Sequence, residues 1–201
     1  MKIKICGITS QEEASWLNAL KVDYAGFVLF FEKSKRNLDI ATAKSILSGL
    51  DKAITPVAVT VEPTPQQIHE IEEAGFSIIQ IHGEIPETDM AAIRIPVWKA
   101  FNVNDLSQFA RYEQMDHVTG YVFDAQTPGS GKTFDWSVLN SLPKTDKQIM
   151  LAGGLGPDNI AEAIRVMGER IDGVDTSSGV ERDNGVGKDK GKIEKFVELI
   201  R

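Results

Sequence analysis

Only one of the 201 residues is a cysteine, Cys6. That excludes an intramolecular disulfide framework and a multi-cysteine metal site. No apolar run approaches the ~18 residues a membrane span needs, and the opening MKIKICGIT lacks the long apolar stretch of a secretory signal. No Pro/Gly/Ser linker, charge block or low-complexity tract divides the chain. The three histidines and the carboxylates fall in no metal-ligand spacing. Basic residues are too few for a nucleic-acid partner: 22 Lys and Arg against 29 Asp and Glu leave a net charge of -7, whereas phosphate neutralisation needs a basic face. These absences point to a cytoplasmic enzyme or binding domain, with no membrane or nucleic-acid partner and no metal.

A hydrophobic content of 42% suffices for one substantial core. Short Val/Ile-rich runs alternate with longer amphipathic stretches. Strands are expected at 2–6, 25–30, 55–61, 77–81, 96–101, 119–124, 148–153 and 172–176. Ser10 and Asp39 read as helix N-caps, and Thr64-Pro65 as a cap followed by the first helical position, with Gly75 as the stop. Gly156-Pro157-Asp158 precedes a helix over 160–167, and 190–201 forms the last helix. The helices after the fourth and sixth strands look short or irregular. Eight strands alternating with helices at ~25 residues per unit fit one minimal (β/α)8 TIM barrel over 1–201. A doubly wound open sheet is the alternative, but no dinucleotide fingerprint follows the first strand.

In such a barrel the chemistry sits at the C-terminal ends of the strands. Cys6 ends the first strand, on the same face as Lys2 and Lys4. It reads either as a thiolate base or nucleophile or as a small buried hydrophobe. Lys4 would favour the thiolate, or would neutralise an interior carboxylate such as Asp175. Asp124 ends an apolar strand, where a carboxylate is costly to desolvate. It is an acid, or a cap on a loop containing Pro128, Gly129, Gly131 and Lys132. LAGGLGP and DTSSGVE follow the last two strands. Backbone amides of Gly153, Gly154 and Gly179, with the hydroxyls of Ser177 and Ser178, make a phosphate cradle, although a lone Gly-Gly is usually a turn. Arg36 is either a fork for a carboxylate or a solvated surface residue. Gln80 and His82 share a face of the fourth strand as ligand contacts or structural residues.

KICGIT (4–9), QIHGE (80–84), GSGKTFDW (129–136), LAGGL (151–155) and DTSSGVE with GVGKDKGKI (175–193) resemble phosphoribosylanthranilate isomerase, the Amadori-type isomerase of tryptophan biosynthesis, across essentially the whole chain. The resemblance implies a minimal TIM barrel acting without a cofactor, and a phosphorylated small-molecule substrate. It implies Cys6 as general base, Asp124 as general acid, Arg36 on the anthranilate carboxylate, and Gly153, Gly154, Ser177, Ser178 and Gly179 around the phosphate. A monomer is expected. Three positions depart from the family's habit: Lys35 where proline is frequent, which predicts a less rigid loop, Glu62 where asparagine is common, and Thr176 where valine is usual. Acid–base work at neutral pH would require the Cys6 pKa to be lowered and that of Asp124 raised from their defaults. A related isomerase of histidine biosynthesis uses two aspartates, which Cys6 argues against. A non-catalytic phosphate-binding barrel is the other alternative.

Overall fold

The computed structural model describes residues 1–103, 105–124, 135–141 and 144–201. Nine parallel strands occur among them: β1 (Lys2–Cys6), β2 (Tyr24–Leu29), β3 (Asn37–Leu38), β4 (Thr55–Val61), β5 (Ile78–His82), β6 (Val97–Asn102), β7 (Val118–Asp124), β8 (Gln148–Leu151) and β9 (Gly173–Thr176). β1 pairs with both β2 and β9, so the sheet closes on itself. Eight strands form the wall, and the two-residue β3 adds to the end of β2 at Val28 and Leu29. This is the (β/α)8 barrel that the strand spacing predicts.

Alternation along the strands builds two apolar layers. Ile3, Ile5, Ile79, Ile81 and Val174 belong to the layer between wall and helices. Cys6, Val57, Val59, Ile78, Trp98, Ala100, Val122, Met150 and Ala152 form a separate inner cluster. Gly120 lies beside Trp98, and a Cβ there would come within 2.8 Å of the indole. The largest interior side chain therefore faces a residue without one.

The expected caps set the helix starts. Ser10 caps α1 (Gln11–Leu20), accepting from the Glu13 amide. Asp39 caps α2 (Ile40–Leu47), accepting from the Thr42 amide at 2.7 Å. Thr64 and Gln67 close a reciprocal capping box on α3 (Pro65–Glu73), and Pro65 supplies the first turn. α4 (Glu87–Ala91) and α5 (Phe109–Glu113) are five residues each. A 3-10 turn (Trp136–Ser141) lies in the connection after β7. α6 (Ile160–Met167) starts where expected. α7 (Lys190–Glu198), capped by Asp189, stops short of the expected 201. β8 also ends early, at Leu151 rather than 153, because Gly153 and Gly154 take φ values of +86° and +65°, a region of backbone space that glycine enters without cost.

Candidate active site

One cleft of about 780 Å3, its open mouth included, lies over the C-terminal ends of the strands. Its lining brings together Cys6, Arg36, Gln80, His82, Asp124, Gly153, Gly154, Ser177 and Ser178, residues separated by up to 172 positions in sequence. The size suits a small ligand. Val28, Phe31, Ser34, Val59, Thr60 and Asp175 complete much of the wall. Of these, Thr60 carried no sequence signal.

Gly179, expected in the phosphate cradle, does not line the cleft. A Cβ there would collide with the carbonyl of Leu155, and one on Gly156 would lie 3.0 Å from the Gly179 carbonyl. Gly179 is thus the seam between the last two loops rather than part of the cradle surface. Thr176 strengthens the same seam: its hydroxyl donates to the Leu155 carbonyl at 2.5 Å, a bond that a valine could not make. A short helical turn over Ser178–Val180 follows directly on the last strand's loop. Pro128, Gly129, Gly131 and Lys132, with most of GSGKTFDW, lie outside the described residues.

Cys6 sits at the end of β1, 8% exposed. Gly26 faces it, and a Cβ there would lie 2.9 Å from Sγ. Below it Lys4 donates to Asp175 Oδ2 at 2.7 Å, with both side chains buried. The two sequence readings of Lys4 therefore both hold in part: it neutralises Asp175 and also acts on the thiol. Burial alone would lower the Lys4 pKa, but the Asp175 carboxylate and Cys6 hold it above its ordinary value. The Cys6 thiol is pushed up by burial, against the pull of Lys4 and Lys188. This corrects the expectation of a lowered thiol pKa. A thiolate must lose its water on entering the barrel, and that cost exceeds the attraction of two nearby ammonium groups.

Asp124 ends β7, three strands round the barrel from β1, and lines the cleft on that side. His82 and Gln80 meet through their Nε2 atoms at 3.0 Å. Burial, with Lys99 and Lys4 nearby, pushes the His82 pKa down to about 4. A neutral ring accepting from the Gln80 amide satisfies that contact. Gln80 Oε1, Thr60 Oγ1 and Asp175 Oδ1 are buried without a partner. All three residues line the cleft, where a polyhydroxylated ligand would satisfy them.

Arg36 is not solvated. Its Nε donates to Glu181 Oε1 at 2.5 Å. Lys35, expected to loosen this loop, ties it down by donating to Glu181 Oε2 and the Gly185 carbonyl at 2.8 and 2.7 Å. Glu62 takes a φ of +47°, in the left-handed region where asparagine is enriched. That accounts physically for the asparagine usual at this place.

Residues 3–199 match the family described as N-(5'phosphoribosyl)anthranilate (PRA) isomerase. An N-(5'-phosphoribosyl)anthranilate isomerase of Thermoanaerobacter pseudethanolicus is 36% identical, covering 100% of this chain and 98% of its own. A structure described as monomers generated from the dimeric phosphoribosylanthranilate isomerase of Thermotoga maritima is 33% identical, covers 99% of this chain and 97% of its own, and superposes with a TM-score of 0.84. Another phosphoribosyl anthranilate isomerase, solved with reduced 1-(o-carboxyphenylamino)-1-deoxyribulose 5-phosphate, is 32% identical with 99% and 97% coverage and a TM-score of 0.82. With the barrel closed, the cleft at its C-terminal end and the match running from the first strand to the last helix, the chain belongs to the N-(5'-phosphoribosyl)anthranilate isomerase family.

Proposed function

We propose that this protein converts N-(5-phosphoribosyl)anthranilate to 1-(2-carboxyphenylamino)-1-deoxyribulose 5-phosphate, the isomerase step of tryptophan biosynthesis, without a cofactor. The observation that carries the reading is a single cleft lined by one thiol, one carboxylate on a distant strand, an arginine and two glycine/serine loops. A substrate with a carboxylate at one end and a phosphate at the other matches that distribution of groups.

Asp124, protonated, gives its proton to the furanose oxygen. The C1–O bond breaks and an iminium forms between C1 and the anthranilate nitrogen. That positive charge acidifies the C2 hydrogen and, in a cleft with little water, favours the Cys6 thiolate. Cys6 takes the C2 proton; the resulting enolamine gains a proton at C1 as its C2 hydroxyl loses one, giving the ketone, and exchange with solvent deprotonates Cys6 and reprotonates Asp124 for the next cycle. Arg36 holds the anthranilate carboxylate, and Gly153, Gly154, Ser177 and Ser178 hold the phosphate, Ser177 through its backbone amide because its hydroxyl donates to the Cys6 carbonyl. The reacting atoms are thereby fixed between acid and base. Gln80, His82 and Asp175 face the sugar.

The chain is read as one domain and a monomer, acting in the cytoplasm on a small phosphorylated substrate. In support, the exposed large hydrophobics among the described residues, Met1, Val138, Val166, Val186 and Leu199, come from five separate segments rather than one patch. No described helix is long and apolar enough to cross a membrane. Light scattering at micromolar concentration tests the monomer, and a dimer mass would reject it.

Cys6→Ala tests the activity. Turnover is expected to vanish while affinity for the product stays within a few-fold of native. Retained turnover would remove Cys6 from the mechanism. Product binding by a native protein with no turnover would make this a binding barrel.

A further inference from the structure

DTSSGVE and GVGKDKGKI contain two charged residues that the mechanism leaves unused, Glu181 and Lys188. Both side chains are buried, 7% and 1% exposed, and neither lines the cleft. An isolated antiparallel bridge pairs their backbones. Buried charges persist only where partners satisfy them, so their partners define what they do. Glu181 Oε1 accepts from Arg36 Nε at 2.5 Å and lies 3.6 Å from Lys188 Nζ. Its other oxygen accepts from Lys35 at 2.8 Å. Lys188 Nζ donates to the carbonyl and the hydroxyl of Ser177 at 3.0 and 3.1 Å. The Ser177 hydroxyl in turn donates to the Cys6 carbonyl at 2.9 Å. The Lys188 amide is itself held by Glu13 Oε1 at 2.6 Å.

We propose that Glu181 and Lys188 are a positioning pair joining the two anion-holding ends of the cleft, Glu181 orienting Arg36 for a carboxylate and Lys188 orienting the Ser177 loop for a phosphate. The proposal rests on the substrate reading above. Glu181 occupies only the Nε edge of the guanidinium. The terminal nitrogens make no bond to the described residues and remain available as a fork. An arginine held at one edge loses less side-chain freedom when the ligand arrives. At the other end, Ser177 has its hydroxyl committed both as donor and as acceptor, so its loop cannot turn without breaking two bonds. Lys188 also places positive charge beneath the loop that receives the phosphate. Glu181 is the common member, because it contacts the cations serving both ends.

The test measures affinity for two fragments, anthranilate and inorganic phosphate, by calorimetry on folded variants. Arg36→Met should weaken anthranilate about tenfold or more and leave phosphate nearly unchanged. Lys188→Met should do the reverse, and Lys188→Arg should restore phosphate to within a few-fold. Glu181→Ala should weaken both. In the Arg36→Met background it should cost no further anthranilate affinity while keeping its phosphate loss. If Glu181→Ala fails to fold, Glu181→Gln, which still accepts from Nε but carries no charge, should give smaller losses of the same pattern. A merely structural role predicts that the Glu181 loss of anthranilate persists in full without Arg36, and that result would overturn the proposal. So would native phosphate affinity in Lys188→Met. If Arg36→Met binds anthranilate as native does, the substrate reading fails, and the Arg36 half of the pair falls with it.

Discussion

The Lys4 ammonium lies 2.7 Å from the Asp175 carboxylate beneath the thiol of Cys6, with both partners buried. Removing one member strands the other without a counter-charge. Lys4→Met is expected to cost about 3–5 kcal/mol in urea unfolding at neutral pH. Replacing both members with apolar residues of similar size should cost much less. A single variant as stable as native would show that the pair contributes nothing.

The reacting groups should affect turnover far more than binding. Cys6→Ser and Asp124→Asn are each expected to lower kcat by ~10²–10⁴-fold with product affinity nearly intact. Because burial raises the Cys6 thiol, kcat/KM of the native protein should still be climbing with pH above the usual thiol range of about 8.5. In Lys4→Met, which loses a cation acting on Cys6, that limb should move further to the alkaline side. A profile flat above neutrality would contradict a thiolate base.

Gly179 packs against Leu155 and Gly156 at the seam between the last two loops. Gly179→Ala would drive a methyl into the Leu155 carbonyl and part the loops. Inorganic phosphate and product should weaken in parallel, with the barrel still folded by circular dichroism. Native phosphate affinity in this variant would show that the seam does not shape the cradle.

His82 should leave a mark on the pH dependence of stability. Its folded pKa of about 4 lies below the ordinary ~6.5, so the unfolded chain takes the proton first. The stabilisation from a neutral His82 is therefore complete above about pH 6.5, shrinks as pH falls toward 4 and then levels off. The ring is half-buried, so the loss should be on the order of 2 kcal/mol, below the full linkage value. His82→Gln should flatten this limb in denaturant titrations from pH 7 to 4. An unchanged slope would mean that His82 is not held neutral.

Much of this was legible in the sequence because it is local. Alternation in KIKIC puts Cys6 on the inward face, and Thr64-Pro65 starts α3 on chemistry within four residues. The residues that line the cleft were legible because a barrel confines them to strand ends. Other features depend on contacts that sequence spacing does not encode. Glu181 meets Arg36 across 145 positions, and nothing in FEKSKRNL distinguishes a buried, oriented arginine from a solvated one. The direction of the Cys6 pKa depends on how completely the barrel excludes water, which composition does not reveal. Gly179 looked like its neighbours Gly153 and Gly154, and only the approach of Leu155 separates its role from theirs.

The cleft is proposed to isomerise a phosphoribosylated anthranilate with Cys6 as base and Asp124 as acid. The most direct measurement follows the fluorescence of N-(5-phosphoribosyl)anthranilate, generated in situ, on addition of the native protein, Cys6→Ala and Asp124→Asn. Rapid loss of signal is expected with the native protein, none above the uncatalysed rate with Cys6→Ala, and loss slowed by ~10²–10⁴-fold with Asp124→Asn. A steady signal with the native protein, or an equal loss with a variant, would contradict this reading.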